Sequence, residues 1–102
     1  MRRALRASIF LGEDDVFGHH PLYHEIVTRA HKAGMAGATV LRGCEGYGAS
    51  SLIHTTRLLS LAENLPVVVV LVDEPDKVRG FLDDIGVLLA EATVVVDEVE
   101  VR

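Results

Sequence analysis

Residues 67–72 read Val-Val-Val-Val-Leu-Val. Six β-branched or leucine side chains in succession specify a strand. Because a strand turns successive side chains to opposite faces, both faces of this one are apolar. An antiparallel sheet with helices on one side normally turns polar residues outward on the other. Here it does not, and Val94-Val95-Val96 repeats the two-sided pattern. At ~25 cal/mol per Å2 of apolar surface, leaving Val68, Val70 and Val72 in water would forgo several kcal/mol. A second copy of the chain is the simplest cover, so the patterning alone predicts a homo-oligomer.

The remaining elements follow from periodicity and punctuation. Leu5, Ala7, Ile9 and Leu11 alternate with Arg6, Ser8, Phe10 and Gly12, the period-two pattern of a first strand. Gly12–His20 reads as a loop carrying Glu13-Asp14-Asp15. Pro21 suits the first position of a helix, and Leu22, Ile26, Val27, Ala30 and Ala33 continue at helical spacing until Gly34 stops it. Ala38–Leu41 is the second strand. After the glycine-rich segment that follows, Arg57–Leu61 reads as extended and Ala62-Glu63-Asn64 as a turn into Pro66. Asp73-Glu74-Pro75 opens a second helix, with acids at the positive end of its dipole. Val78, Phe81, Leu82, Ile85 and Leu89 form its buried stripe, weakened at Gly80 and Gly86 by up to about 1 kcal/mol each. The last strand is Val94–Val101. The order βαββαβ predicts an α+β domain with a four-stranded antiparallel sheet and both helices on one face.

The 102 residues, 49% of them hydrophobic, suffice for one domain over residues 1–102 with an aliphatic core. A net charge of −5, with basic residues gathered only at Arg2, Arg3 and Arg6, argues against a nucleic-acid partner. The single cysteine, Cys44, fits a reducing compartment. The apolar run after the basic start is too short for a signal peptide, and no segment approaches the roughly 18 apolar residues of a membrane span. A cytoplasmic protein is expected.

Function should reside in the stretch from Gly37 to Thr56, GATVLRGCEGYGASSLIHTT. Past Arg42, Gly43, Gly46 and Gly48 are separated only by Cys44, Glu45 and Tyr47, and Ser50, Ser51, His54, Thr55 and Thr56 follow. Closely spaced glycines relax the backbone and offer N–H groups to a ligand or a neighbouring chain. Arg42 is the natural counter-charge for an anion, and Tyr47 a stacking surface. His54 would join them if the segment folds back. The plain alternative is a hairpin connection whose glycines serve only turn geometry. There is no Walker loop, since no Gly-Lys-Ser/Thr follows.

The strings TVLRG, GYGASS and IHT, with GEDD after the first strand and PLY opening the first helix, resemble the domain of unknown function 190 family of PII-like proteins. The resemblance spans nearly the whole chain. It implies a ferredoxin-like fold, a PII-like trimer, and a segment around Arg42–Thr56 standing where PII proteins carry their T-loop. It does not imply a known ligand, and the reading preferred here is a regulatory protein, not an enzyme, that takes a small anionic metabolite, an adenine nucleotide among the candidates, at a subunit cleft. The site residues of that reading are Arg42, Gly43, Gly46, Tyr47, Gly48, Ser50, Ser51 and His54, with Glu13 and Asp14 able to approach a neighbouring subunit's loop, although a solvated charged turn is the plainer reading of those two. PII relatives often regulate membrane transporters, which makes a transporter or channel a candidate partner. One feature departs from PII: Leu89-Ala90-Glu91-Ala92-Thr93 lacks the glycine and lysine that PII proteins place before the last strand, so their triphosphate binding is not carried over.

Other constellations are weaker. His19, His20, His24 and His31 invite a metal reading like that of the CutA proteins, which share this fold. Yet His24 and His31 lie roughly 10 Å apart along a helix, and His20 and His24 straddle its start, so no metal or other cofactor is expected. Cys44, Glu45 and His54 could be cast as a nucleophile with its base, but a glycine-rich loop holds three groups in register poorly. A ligand-free scaffold remains the alternative from a different class.

Overall fold

The computed structural model describes residues 1–48 and 64–102. Strand β1 is Arg2–Gly12, and a two-residue pair, β2 (Val16–Phe17) and β3 (His20–Pro21), precedes helix α1 (Leu22–Lys32). Strands β4 (Ala38–Arg42) and β5 (Pro66–Asp73), helix α2 (Pro75–Asp84), a 3-10 turn (Gly86–Leu89) and strand β6 (Thr93–Val101) complete the order. The main sheet runs β4-β5-β1-β6 and is antiparallel throughout. With both helices on one face this is the ferredoxin-like arrangement that the βαββαβ order predicts. The extended reading of Arg57–Leu61 and the Ala62-Glu63 turn lie outside the described residues.

The sheet sorts its side chains by the parity of their numbers. Leu5, Ala7, Ile9 and Leu11 of β1 and Val67, Val69 and Leu71 of β5 are buried. They form one core with Leu22, Ile26 and Ala30 of α1, Val78 and Phe81 of α2, and Ile85 and Leu88 beyond it. The opposite face carries Val68, Val70 and Val72, each only partly covered. Across the strands Val68 pairs with Phe10 and Leu41, and Val70 with Ser8, itself opposite Val95. Phe10, Leu41 and Val95 are 42%, 54% and 49% exposed, so the apolar outer face expected from the valine run is present.

Four local features differ from the sequence reading. Strand β1 begins at Arg2 instead of Leu5, because Arg2–Ala4 continue the ladder against Val99–Val101 alone. Arg3 there reaches Glu98, and Arg6 holds Asp97 through two hydrogen bonds of 3.1 and 2.7 Å. Residues 12–20 are not plain loop: β2 and β3 pair there, and the guanidinium of Arg29 on α1 sits 5.3 Å from the Phe17 ring centre. Pro21 caps α1 from outside, with extended backbone, so the helix starts at Leu22. Helix α2 ends at Asp84, and the tighter winding of the 3-10 turn buries Leu88 where helical spacing had chosen Leu89.

One buried carboxylate ties the loops at the far end of the sheet. Asp73 is 5% exposed and accepts the backbone N–H groups of Ala36 (2.8 Å) and Glu74 (2.7 Å), with Lys77 Nζ 3.4 Å away. Lys77 also donates to the Gly34 carbonyl at 2.8 Å, so the α1–β4 connection is held from two points. Burial alone would push the Asp73 carboxyl up, but the two amides and Lys77 outweigh it and hold it below the ordinary aspartate range. Because the folded value is the lower one, the stabilisation is present above the unfolded carboxyl's range and is lost as pH falls through the folded value. Asp73→Asn should therefore cost about 1–3 kcal/mol at neutral pH. In urea titrations the gap between variant and wild type should close as the medium is acidified.

Candidate functional site

Three chain segments converge at one end of the sheet because of the register. Gly12 at the end of β1 stands opposite Pro66 at the start of β5, and Arg42 at the end of β4 stands opposite Val67. The acidic turn after β1, the exit of β4 and the entrance of β5 are thus neighbours. Their contacts are specific. Gly43 N–H donates to the Pro66 carbonyl at 2.7 Å and Glu13 N–H to the Leu65 carbonyl at 2.8 Å. Asp14 N–H donates to Asn64 Oδ1 at 2.9 Å, while Asp15 turns its Oδ2 back to Gly12 N–H at 2.9 Å. The Arg42 guanidinium forms an ion pair with the Glu13 carboxylate. Residues 12–15 therefore clasp both legs of the connection between β4 and β5, one through Arg42 and the other through Asn64 and Leu65.

The clasp depends on two backbone positions. Asn64 has a φ of +47°, a conformation that Asn tolerates better than most residues because its short side chain bonds locally. Gly12 faces it directly: a Cβ built there would lie 2.4 Å from Asn64 Oδ1. Gly46 has a φ of +147° and comes up against the Pro66 ring, where a Cβ would meet Cγ at 3.2 Å.

The candidate residues are distributed as follows. Arg42, Gly43, Glu13 and Asp14 are brought together, Asp14 through its backbone. The Gly43 amide is engaged by Pro66. Gly46 continues the same rim, and Tyr47 is 76% exposed beyond it, with Gly48 next along the chain. Ser50, Ser51 and His54 lie outside the described residues. Cys44 is exposed. Glu13 pairs with Arg42 of its own chain, where the sequence reading set it against a neighbouring subunit. Asp15 was not singled out from the sequence, and Asn64 was read only as the end of a turn into Pro66, a signal that carries no information about its partner Asp14. His20 and His24 have ring centres 6.4 Å apart, and among the described residues no group of three His, Cys, Asp or Glu side chains is arranged to hold a metal ion. An apolar hollow of about 240 Å3, lined by Val27, Ala30, His31 and Met35 among others, lies by the start of β4, away from this clasp. No helix among the described residues is long and apolar enough to cross a membrane.

A four-stranded βαββαβ sheet with a long connection rooted at its β4–β5 end is a fold that PII-like proteins share with others, and solved structures show the likeness. The chain superimposes on CPII, a nitrogen regulatory PII-like protein from Thiomonas intermedia K12 bound to ADP, AMP and bicarbonate, with a TM-score of 0.65. That match has 15% identity and covers 99% of this chain and 97% of CPII. The apo form of CPII gives a TM-score of 0.63 at 14% identity, over 98% and 92% of the two chains. Residues 4–101 match the model of the DUF190 family, described as Uncharacterized ACR. A UPF0166 protein of Aquifex aeolicus is 42% identical over 77 residues, 76% of this chain and 73% of the relative. UPF0166 protein MJ1524 of Methanocaldococcus jannaschii is 32% identical over 82 residues, 80% and 75% of the two. The chain belongs to the DUF190 family.

Gly12→Ala should destabilise the fold by about 1–3 kcal/mol through overpacking. If the collision with Asn64 is the cause, the double variant Gly12→Ala/Asn64→Ala should lose less than the sum of the two single variants, by about 0.5 kcal/mol or more in denaturant melts.

Proposed function

We propose that this protein is a trimeric PII-like regulator that binds a small anionic metabolite, in the first instance an adenine nucleotide, at a cleft between subunits beside Arg42. The observation that carries this reading is the convergence of Arg42, the Gly43–Gly48 run and the clasped roots of the β4–β5 connection at one end of the sheet. The fold likeness to a PII-like protein bound to ADP, AMP and bicarbonate supports the ligand class. Arg42 supplies a guanidinium fork suited to phosphate or carboxylate, the glycine run lets a ligand approach the backbone closely, and exposed Tyr47 offers a face for a base. The connection itself, reshaped by the bound ligand, would engage or release a partner, a membrane transporter being the candidate. No reaction is assigned, and the chemistry required is binding alone.

Oligomerisation is integral to this reading. Phe10, Leu41, Val68, Val70, Val72 and Val95 form an apolar outer face that a monomer would leave in water, and neighbouring copies supply its cover. Closed symmetry then sets the roots of one connection beside the next subunit.

Two measurements test the proposal. ADP or AMP should raise the melting temperature by mass action, and Arg42→Ala should remove that rise. The absence of a shift with either nucleotide, and with bicarbonate, would turn the reading toward a scaffold without a ligand. In sedimentation equilibrium the wild type should run as a trimer and Val70→Asp should dissociate it, whereas a monomeric wild type would overturn the covered-face argument.

A further inference from the structure

Glu13 lies in the turn after β1 and Arg42 ends β4, yet their side chains are paired. The remaining contacts of the clasp do not need that pair. Glu13 is anchored by its own N–H on Leu65, Asp14 by its N–H on Asn64, and Gly12 by the Asp15 carboxylate. The β4 leg is separately fixed by Gly43 N–H on Pro66. The Glu13 carboxylate can therefore leave Arg42 while every backbone bond of the clasp stays made. The pair is also open to exchange, since the Arg42 side chain is 63% exposed and that of Glu13 22% exposed.

We propose, on the reading that Arg42 is the anion-binding residue, that Glu13 is the internal competitor for that site and so determines which anions it takes. A carboxylate tethered next to the guanidinium is present at a high effective concentration. An external monoanion brings the same charge that Glu13 already supplies, so the exchange gains little. A phosphate ester or diphosphate carries more charge and more acceptor oxygens, and it displaces Glu13 where a simple carboxylate does not. Occupation of the site then frees the Glu13 side chain, which makes the acidic turn the part of the protein that registers a bound phosphate.

The test is a double-mutant cycle read by calorimetric titration of ADP into the full-length protein. Glu13→Gln should tighten ADP by about 1.5- to fivefold, the range expected when a partly exposed ion pair no longer competes. In the Arg42→Gln background the same substitution should change nothing. Glu13→Ala, which leaves the same backbone bonds in place, must reproduce the gain. Acetate, titrated in parallel, should bind the Glu13→Gln protein measurably and the wild type at least several-fold more weakly. If wild type and Glu13→Gln take up ADP equally, Glu13 is no competitor and only this inference falls. If the gain persists in the Arg42→Gln background, Glu13 acts by general repulsion, and the inference is again overturned. If no variant binds ADP, the nucleotide reading falls with it.

Discussion

Everything in this molecule hangs on the pairing of β1 with β5, eight residues deep from Leu5 opposite Asp73 to Gly12 opposite Pro66. Being the two inner strands, they fix the parity of the sheet. A slip of one residue would set Ile9 opposite Val68, so that with Ile9 still in the core Val67, Val69 and Leu71 would turn to the outer face. The same register delivers Gly12 to Pro66 at one end, where the acidic turn meets the β4–β5 connection. At the other it delivers Asp73, whose carboxylate collects Ala36, Glu74 and Lys77. The end that carries the candidate site and the end tied by Asp73 are thus opposite termini of one ladder.

The outer strands answer to different forces. Strand β4 is short and, among the described residues, pairs with β5 alone, and its exit towards the candidate site is held in addition by Gly43 on Pro66 and Arg42 on Glu13. Strand β6 is long, runs the length of β1, and is studded with charge. Arg6 raises no packing problem on the outer face because Asp97 lies opposite it, and its guanidinium holds that carboxylate below the usual range. The outer face is therefore apolar towards the Gly12 end and ionic towards Asp73. Any neighbouring surface has to match both halves.

The sequence made the fold legible wherever periodicity was long. The alternation of β1, the valine run of β5, the i, i+4 spacing of Leu22, Ile26 and Ala30 in α1 and the stripe of α2 each repeat a signal several times. It was poor where an element is two residues long, as at Val16–Phe17 and His20–Pro21, because no period can be read from two residues. It was poor also where the winding changes, as at Gly86, which moved the buried leucine from 89 to 88. Arg2 and Arg3 precede the alternating run read as the first strand yet belong to the ladder, opposite Val101 and Glu100, with Arg3 reaching diagonally to Glu98. At the candidate site the glycines and Arg42 could be seen in the sequence. The ion pair to Glu13 and the bond from Asp14 to Asn64 could not, because they join positions distant in the chain whose proximity exists only once β1, β4 and β5 lie side by side.

The clasp at residues 12–15 has a consequence for how this family can diversify. Both roots of the β4–β5 connection are fastened to the sheet before any residue between them is considered, so the entropic penalty of joining its ends is met by the folded body. Lengthening such a connection adds only about 0.6 kcal/mol per doubling. The body is a socket, and what is plugged into it can be exchanged without refolding the rest. A change in the length of that segment leaves the contact of Gly12 with Asn64 and the valine ladder as they are.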